Sequence, residues 1–217
     1  MEMSFESSSG IKVLSFPVGR LNCNCSILWD PQSLEAVLVD PGDEADKIKT
    51  KIESRGLKVK YILHTHAHFD HIGASELMHR DLGAELYLHE EDRDLWENIE
   101  MQGQMFGMKL KKIQADFKAL EDLQDFQIGR EKVSTLYTPG HTPGSCCFSI
   151  GEFVFSGDTL FRGSVGRTDL WRGDFGQISQ SIKSRLYRLD PDTTVIPGHG
   201  PVTQLGIERR ENPFVTI

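Results

Sequence analysis

Short runs of apolar, β-branched and aromatic residues recur along the chain, and turn residues separate them. In the first half these runs predict strands at IKVLSFPV, CSILW, EAVLV, LKVKYILH and AELYLH. In the second half they predict strands at EKVSTLY, SCCFSI, EFVFSGD and TTVIPGHG. The pattern therefore indicates a strand-rich chain with helices in several of the intervals.

Helical periodicity fills some of the intervals between the predicted strands. DPGD introduces a helix whose apolar face carries Ala45, Ile48 and Ile52, and Gly56 is its predicted end. Two more helices are predicted over IGASELMHRDL, which Gly83 ends, and over EEDRDLWENIEM. The acidic first turn of the latter complements the helix dipole.

The last helices follow a glycine-rich loop, FRGSVGRTDLWRGD. Asp174 is predicted to cap a helix, and its apolar stripe is Phe175, Ile178, Ile182, Leu186 and Leu189. A short helical tail, stopped by Pro213, follows the final strand. Residues 101–130 lack clean periodicity, so two interpretations stay open: a lid or loop near a substrate, and a packed irregular connection.

Mixed strands and helices in a chain of 217 residues predict one α/β (α+β) domain over residues 1–217, with a two-layered sheet core. A faint internal echo supports two related halves. NCNCSILW…AVLVDPG and SCCFSIGEFVFSGD both run strand, turn and strand, and both then reach an aspartate and a glycine.

Composition narrows the classes of function. No stretch of apolar residues is long enough to span a membrane. The N-terminal MEMSFESSSGIKV carries acids and lacks the apolar region of a signal peptide, so a cytoplasmic location is predicted. A net charge of −8 argues against a nucleic-acid partner, because such proteins carry a basic field.

The four cysteines occur in two pairs, Cys23 with Cys25 and Cys146 with Cys147. Neither pair has C-x-x-C spacing, which argues against a zinc knuckle or a thioredoxin-type site. Both pairs lie in apolar runs, so we predict buried thiols that a reducing compartment keeps reduced.

Four short motifs place histidine or aspartate directly after an apolar strand. They are HTHAHFDH (64–71), TPGHTPGS (138–145), FSGDTLF (155–161) and IPGHG (196–200). If these strands lie together, their end residues converge on one point. The motifs contain six of the eight histidines, and we predict His64, His79 and His89 to be structural.

The first motif alone offers as many ligands as one metal needs. His66 and His68 differ by two positions, so they face the same way in an extended loop. Asp70 and His71 come one turn later, at the start of a helix. A single metal takes about four ligands, and this loop alone supplies that many, so two metals suit the arrangement better.

The other motifs complete two sets of ligands. His141 joins His66 and His68, and His199 joins Asp70 and His71. Asp158 is the acid at a strand end between them, and it is predicted to bridge both metals. Considered alone, each aspartate also fits a structural role, Asp70 as a helix cap and Asp158 as a turn residue.

Together these motifs resemble those of the metallo-β-lactamase superfamily. The wider pattern, with GDTLFRGSVGRTDLWRGD and PGHGPVT…ENPF, is similar to the glyoxalase II (hydroxyacylglutathione hydrolase) branch. The resemblance implies an αββα sandwich with a dinuclear site at one sheet edge. It assigns the ligand sets named above to two divalent ions. Zinc is favoured, and iron and manganese are the alternatives.

The resemblance implies a hydrolase of small-molecule thioesters, such as S-lactoylglutathione or a related acyl thioester. The predicted nucleophile is a hydroxide bridging the metals, which Asp70 orients. Position 68 holds a histidine, which fits a hydrolase. The di-iron flavoprotein branch has a glutamate at the corresponding position. Glyoxalase II proper continues with a helical C-terminal domain that helps hold glutathione. The sequence here ends at Ile217, so the resemblance does not extend to glutathione specificity.

Several alternatives stay open at this level. A sulfur (persulfide) dioxygenase that uses one iron has similar motifs, and lactonases, β-lactamases and a non-catalytic scaffold are further possibilities. Arg167 and Asp169 lie in the GRTD loop. Arg167 either binds a substrate carboxylate with its bidentate fork or pairs with Asp169 to pin the loop. Thr65 and Thr142 are predicted to hydrogen-bond the motif loops.

Overall fold

A computed structural model describes residues 2–216 and contains two large β-sheets that pack face to face. The first sheet has seven strands in chain order. The first four pair antiparallel and β4 to β7 pair in parallel. They are β1 (Met3–Glu6), β2 (Lys12–Val18), β3 (Cys23–Trp29), β4 (Glu35–Val39), β5 (Lys58–Leu63), β6 (Glu85–Leu88) and β7 (Lys118–Ala119).

The second sheet has six strands, and its order is β15-β14-β11-β10-β9-β8. Only β11 and β14 pair in parallel. A small hairpin, β12 with β13, leaves the end of β11. The strands are β8 (Asp125–Ile128), β9 (Glu131–Tyr137), β10 (Cys146–Ile150), β11 (Phe153–Gly157), β12 (Leu160–Phe161), β13 (Ser164–Val165), β14 (Thr194–Pro197) and β15 (Thr203–Gln204).

Helices cover the outer face of each sheet. The first sheet is covered by α1 (Ala45–Glu53), α3 (Ser75–Leu82), α4 (Arg93–Glu97) and α5 (Ile99–Met105), and the second by α6 (Phe175–Ser184) and α7 (Leu205–Glu211). The short α2 (Phe69–Ile72) belongs to the first histidine motif. The layers are therefore helix, sheet, sheet and helix, which confirms the predicted αββα sandwich.

Strand alternation explains how one chain fills three apolar cores. On β10, Cys146, Phe148 and Ile150 face the core between the two sheets. Cys147 faces the opposite way, toward the core beneath α6. Because successive side chains of a strand point to opposite faces, a strand of the inner layers must be apolar on both. This is why SCCFSI and CSILW read as continuous apolar runs.

Three helix predictions differ from the structure. Phe175 is 48% exposed, and α6 buries Ile178, Ser181 and Ile182 instead, so its apolar face begins one turn later. The segment EEDRDLWENIEM is divided into a 3-10 turn (Glu90–Asp92), α4 and α5. A single helix was predicted there, and that prediction is wrong.

The predicted helix over IGASELMHRDL is also divided. Its first residue belongs to α2, and Gly73 and Ala74 form the break before α3. A Cβ at Gly73 would collide with the main-chain oxygen of Gly42, so the chain passes this point without a side chain. Gly83 ends α3 in the left-handed region, as predicted.

The region 101–130 contains more structure than its sequence indicated. It includes the end of α5 and the strands β7 and β8, and Ile113, Phe117 and Leu120 are buried. The strand β8 went unpredicted although DFQI alternates exposed and buried positions. No helix within residues 2–216 is long and apolar enough to cross a membrane.

All four cysteines are buried and free, which confirms that part of the prediction. Burial raises the pKa of Cys23 to about 12 and that of Cys147 to about 11. Burial also raises the pKa of Cys25 and of Cys146 well above the ordinary value. These thiols are therefore protonated and inaccessible in the folded protein.

We expect a disulfide reagent such as dithionitrobenzoate to leave the folded protein unmodified for many minutes at about pH 8, since the thiolate is the reactive form. In guanidinium, all four thiols should react at once. Absorbance of the released thionitrobenzoate gives the number of reactive thiols in the folded and in the unfolded protein. A thiol that reacts in the folded protein as fast as in the unfolded one would contradict this description.

Candidate metal centre

The four predicted motifs meet at one edge of the sandwich. HTHAHFDH follows β5 of the first sheet, and His141, Asp158 and His199 follow β9, β11 and β14 of the second. Hydrogen bonds between main-chain groups join the two sheets here, because Cys146 donates to the carbonyl of Thr65 at 2.7 Å. Both sheets therefore contribute to a single cluster.

The seven predicted ligands lie together in three overlapping groups. Within each group the candidate ligand atoms lie within 4.8 Å of one another. The groups are His66 with His68 and His141, Asp70 with His71 and His199, and His66 with His71 and Asp158. The first two are the sets predicted from the sequence, and the third connects them.

Asp158 lies between the two sets of histidines. Its Oδ1 is 3.4 Å from Nε2 of His71, and its Oδ2 is 3.6 Å from Nε2 of His141 and 3.7 Å from Nε2 of His199. One carboxylate thus faces both sets at once. This position suits a bridge between two cations.

Hydrogen bonds outside the cluster orient three of its imidazoles. Nδ1 of His141 donates to the carbonyl of Arg167 at 2.7 Å, and Nδ1 of His199 donates to the carbonyl of Leu21 at 3.0 Å. Nδ1 of His71 donates to Asp40 at 2.9 Å. Because carbonyl and carboxylate oxygens only accept, the proton sits on Nδ1 and each Nε2 directs its lone pair into the cluster.

Two features indicate that this cluster fits metal ions. The Nε2 atoms of His71 and His199 lie 3.3 Å apart, so their lone pairs face each other. Nε2 of His66 and Oδ1 of Asp158 are buried without a hydrogen-bond partner among the described residues. Such groups are costly unless a cation satisfies them. Imidazole and carboxylate ligands suit zinc and iron alike.

The protonation states of three ligands also favour metal binding. Burial, followed by the charge of His141, lowers the pKa of His68 to about 3, and burial keeps the pKa of His66 well below normal. Burial acts to raise the pKa of Asp158, but His71 and the other histidines outweigh it and hold that pKa below normal. At neutral pH these three residues are thus in the form that binds a cation.

The pKa values of His71 and His199 shift the other way. Burial acts to lower them, but the nearby anionic groups outweigh it and raise both pKa values. A cation bound at these two residues would therefore replace a proton on Nε2.

Asp40 is a functional residue that the ligand prediction missed. It is 2% exposed and accepts hydrogen bonds from the main-chain N–H of Thr65 at 2.8 Å and from its hydroxyl at 2.7 Å, besides the bond from His71. Asp40 orients His71 and holds the start of the motif loop. The similarity between the two halves of the sequence could have revealed Asp40, because Asp40 directly follows β4 as Asp158 directly follows β11.

Asp92 connects the first two motifs. It is fully buried and accepts from the main-chain N–H of Ala67 at 2.9 Å, the hydroxyl of Thr142 at 2.8 Å and the N–H of Gly144 at 2.7 Å. The bonds made by Thr65 and Thr142 confirm that both threonines hold the motif loops. Asp92 lies within an acidic run that is typical of a solvated first turn, so its role left no sequence signal.

Two glycines allow the motif loops to pack closely. A Cβ at Gly42 would collide with the main-chain oxygen of Asp70. A Cβ at Gly198 would collide with Oδ1 of Asp158. The glycine of DPGD therefore leaves space for the main chain of Asp70, and the second glycine motif, IPGHG, leaves space for the carboxylate of Asp158.

The three remaining histidines lie outside the cluster, and their contacts support the prediction that they have structural roles. His64 is buried and bonds to the carbonyl of Tyr87 and the hydroxyl of Ser75. His79 bonds to the carbonyl of Ala84. His89 stacks on Tyr137, with ring centroids 4.2 Å apart.

Above the metal ligands lies a cavity of about 350 Å³. Its floor includes His68, Asp70, His141, Asp158 and His199. Its walls are mainly apolar and include Leu21, Leu95, Met105, Phe106, Leu170 and Trp171. Met105, the last residue of α5, and Phe106, which follows it, come from the region that the sequence left open, so this part of that region lies beside the cavity.

Arg167 lines the same cavity but is paired. Its Nε and Nη2 donate to the two carboxylate oxygens of Asp169 at 2.7 and 2.8 Å. Its carbonyl accepts the bond from His141. The arrangement supports the interpretation that this pair pins the loop.

The sequence profile of the metallo-beta-lactamase superfamily matches residues 18–199. The chain belongs to this superfamily. It is 36% identical to hydroxyacylglutathione hydrolase GloC of Haemophilus influenzae over 203 residues, which cover 92% of this chain and 95% of that protein.

Two solved structures are also similar. The BLEG-1 B3 metallo-beta-lactamase superposes with a TM-score of 0.87 at 35% identity, over 94% of this chain and all of that one. TTHA1623, solved in a di-iron-bound form, superposes with a TM-score of 0.84 at 40% identity, over 92% of this chain and 98% of that one. A relative with two irons shows that this fold accepts metals other than zinc.

We expect Asp92→Ala to lower the free energy of unfolding by about 2–4 kcal/mol, because three buried donors lose their acceptor. Urea denaturation followed by circular dichroism measures the change. The matched control is Asp94→Ala, an exposed acid two residues away, which should change stability by less than about 1 kcal/mol. Equal effects of the two variants would refute the role assigned to Asp92.

Proposed function

We propose that the protein is a hydrolase of thioesters that uses two divalent metal ions. The observation that carries this proposal is the cluster of seven ligands at the floor of a substrate-sized cavity. Two three-residue sets share one carboxylate, as a dinuclear site requires. The similarity to a hydroxyacylglutathione hydrolase supports the reaction class.

The proposed ligand sets follow the groups in the structure. His66, His68 and His141 would hold one ion, and Asp70, His71 and His199 would hold the other, with Asp158 between the two sets. When bound, such ions act as Lewis acids that lower the pKa of water to about 7 and polarise a carbonyl oxygen. Zinc is the favoured metal, and the di-iron relative supports iron as the alternative.

Asp70 is proposed to orient the attacking water. Its carboxylate lines the cavity, and its Oδ2 accepts from Nε2 of His199 at 3.1 Å when that imidazole is protonated. A carboxylate next to the nucleophile accepts a hydrogen bond from it and so fixes the direction of its lone pair. Asp158 is the second proposed catalytic carboxylate, and its role is to hold both ligand sets at one spacing.

The cavity lining favours a leaving group that needs no proton. Besides Asp70 and Asp158, no acidic side chain of residues 2–216 lines the cavity, and both carboxylates are committed to the cluster. A thiol with a pKa of about 8.5 departs as a thiolate without a general acid. An amine leaving group requires protonation. Thioesters therefore fit this site better than amides.

A β-lactamase activity is the second candidate, because the similar BLEG-1 structure is that of a B3 metallo-beta-lactamase.

The decisive experiment incubates zinc-loaded protein with S-lactoylglutathione and, separately, with a chromogenic cephalosporin. We expect turnover of the thioester, its loss on chelation and its recovery with zinc. Hydrolysis of the cephalosporin alone would select the second candidate. Oxygen uptake with iron-loaded protein and a persulfide would select a dioxygenase.

We expect His66→Ala to reduce bound metal from about two ions to about one per chain and to lower kcat/KM by about a hundredfold or more, because a ligand is lost. Elemental analysis gives the metal content, and thioester absorbance gives the rate. His79→Ala is the matched control, since His79 bonds only to a carbonyl outside the cluster. Unchanged metal content and activity in His66→Ala would refute the ligand assignment.

A further inference from the structure

We propose that the substrate is an uncharged thioester with an apolar chain or ring beside the thioester group, and that Phe106 and Trp171 select it. This inference rests on the proposed function, because it describes what fills the cavity above the metal ligands. Three properties of the cavity walls lead to it. They are exposed apolar side chains, the pairing of the one arginine and the engagement of the one side-chain amide.

Large apolar side chains stand exposed at the mouth of the cavity. Met105 is 71% exposed, Trp171 57%, Phe106 47% and Leu21 43%. All four line the cavity, and they come from separate parts of the chain. A cluster of exposed apolar side chains around a concave site is typical of a binding surface, because the free energy falls when a ligand removes that apolar surface from water.

Phe106 is held against the ligand loop. Its ring centroid lies 5.0 Å from that of Phe69, the residue before Asp70. An apolar group between Phe106 and the cluster would therefore lie directly beside the carbonyl that reacts. The wall is positioned before the substrate arrives, which reduces the cost of binding.

The cavity walls offer no unpaired side-chain cation to an anionic substrate. Among the side chains of residues 2–216 that line it, Arg167 is the sole arginine or lysine, and the carboxylate of Asp169 occupies the Nε–Nη2 edge of its guanidinium and balances its charge. Arg20 lines an adjoining crevice of about 60 Å³, together with Asp43. A carboxylate held against these walls, away from the metal ligands, would lose its water without gaining an unpaired side-chain cation, which is unfavourable.

The one neutral amide in the lining is also fully engaged. Gln102 is buried, and its side-chain NH₂ donates to the carbonyls of Ala67 at 3.0 Å and Leu95 at 2.7 Å. Its side-chain oxygen accepts from the N–H of Phe69 at 3.0 Å. Gln102 thus fixes α5, which leads to Phe106, to the ligand loop and leaves no donor for substrate. Selection beyond the metals therefore rests mainly on apolar contact.

The test uses zinc-loaded full-length protein and three series of thioesters. The first joins neutral N-acetylcysteamine to acetyl, butyryl and hexanoyl groups, and the second keeps acetyl and lengthens a neutral thiol. The third repeats the acyl groups on glutathione. We expect kcat/KM to rise about threefold for each added methylene in at least one neutral series. The rising series identifies the side of the thioester that fills the cavity.

Variants assign the preference to the walls. Phe106→Ala and Trp171→Ala should each flatten the rise with chain length and raise KM by about tenfold for the longest substrate, with a smaller change in kcat. Non-hydrolysable thioether analogues should lose affinity to the same extent, which measures binding without turnover. Phe214→Ala is the matched control, because Phe214 is 51% exposed and lies outside the cavity lining.

The outcomes separate the two proposals. If metal-loaded protein hydrolyses no thioester of any series, the proposed function is wrong. If it hydrolyses thioesters but rates do not rise with apolar length, or glutathione thioesters exceed their neutral counterparts, the thioesterase function stands and this inference is overturned. Loss of that glutathione preference in Arg20→Ala would then identify the cation that recognises the charged thiol.

Discussion

The mutual approach of many buried electron-pair donors is the constraint on which this structure depends. Five imidazoles and two carboxylates converge, and lone pairs that face one another repel unless a cation lies between them. Hydrogen bonds from outside the cluster therefore orient three of the imidazoles. Asp40 and the carbonyls of Leu21 and Arg167 accept hydrogen bonds from the Nδ1–H groups of these histidines, which turns the opposite nitrogens inward. Without these outer bonds the cluster would rearrange to separate its lone pairs.

The αββα sandwich supplies this arrangement because each sheet contributes loops at the same edge. The first sheet carries the histidine-rich loop, and the second carries His141, Asp158 and His199. Asp92 bonds to loops of both sheets and so fixes their relative position. The similar strand-end positions of Asp40 and Asp158 reflect the two related halves, although one orients a histidine and the other faces both ligand sets.

The same elements also build the cavity above the cluster. The floor is polar and fixed, whereas the walls are apolar and partly exposed. Gln102 joins the two, since it ties the helix before Phe106 to the main chain beside His68 and Asp70. The position of the cavity wall and the position of the ligand loop therefore depend on the same side chain.

The sequence by itself indicated most of the sheet strands and the ligand motifs, because both depend on local patterns. A strand shows alternation or an apolar run, and HTHAHFDH places several donors within one loop. Asp92, Gln102 and the cavity walls were decided by the tertiary structure. Asp92 lies in an acidic run and becomes buried through residues 25 to 52 positions away. Phe175 has the helical spacing of a core residue and is exposed. Burial depends on which distant segments pack over a position, and that information is absent from the position's own neighbours in sequence.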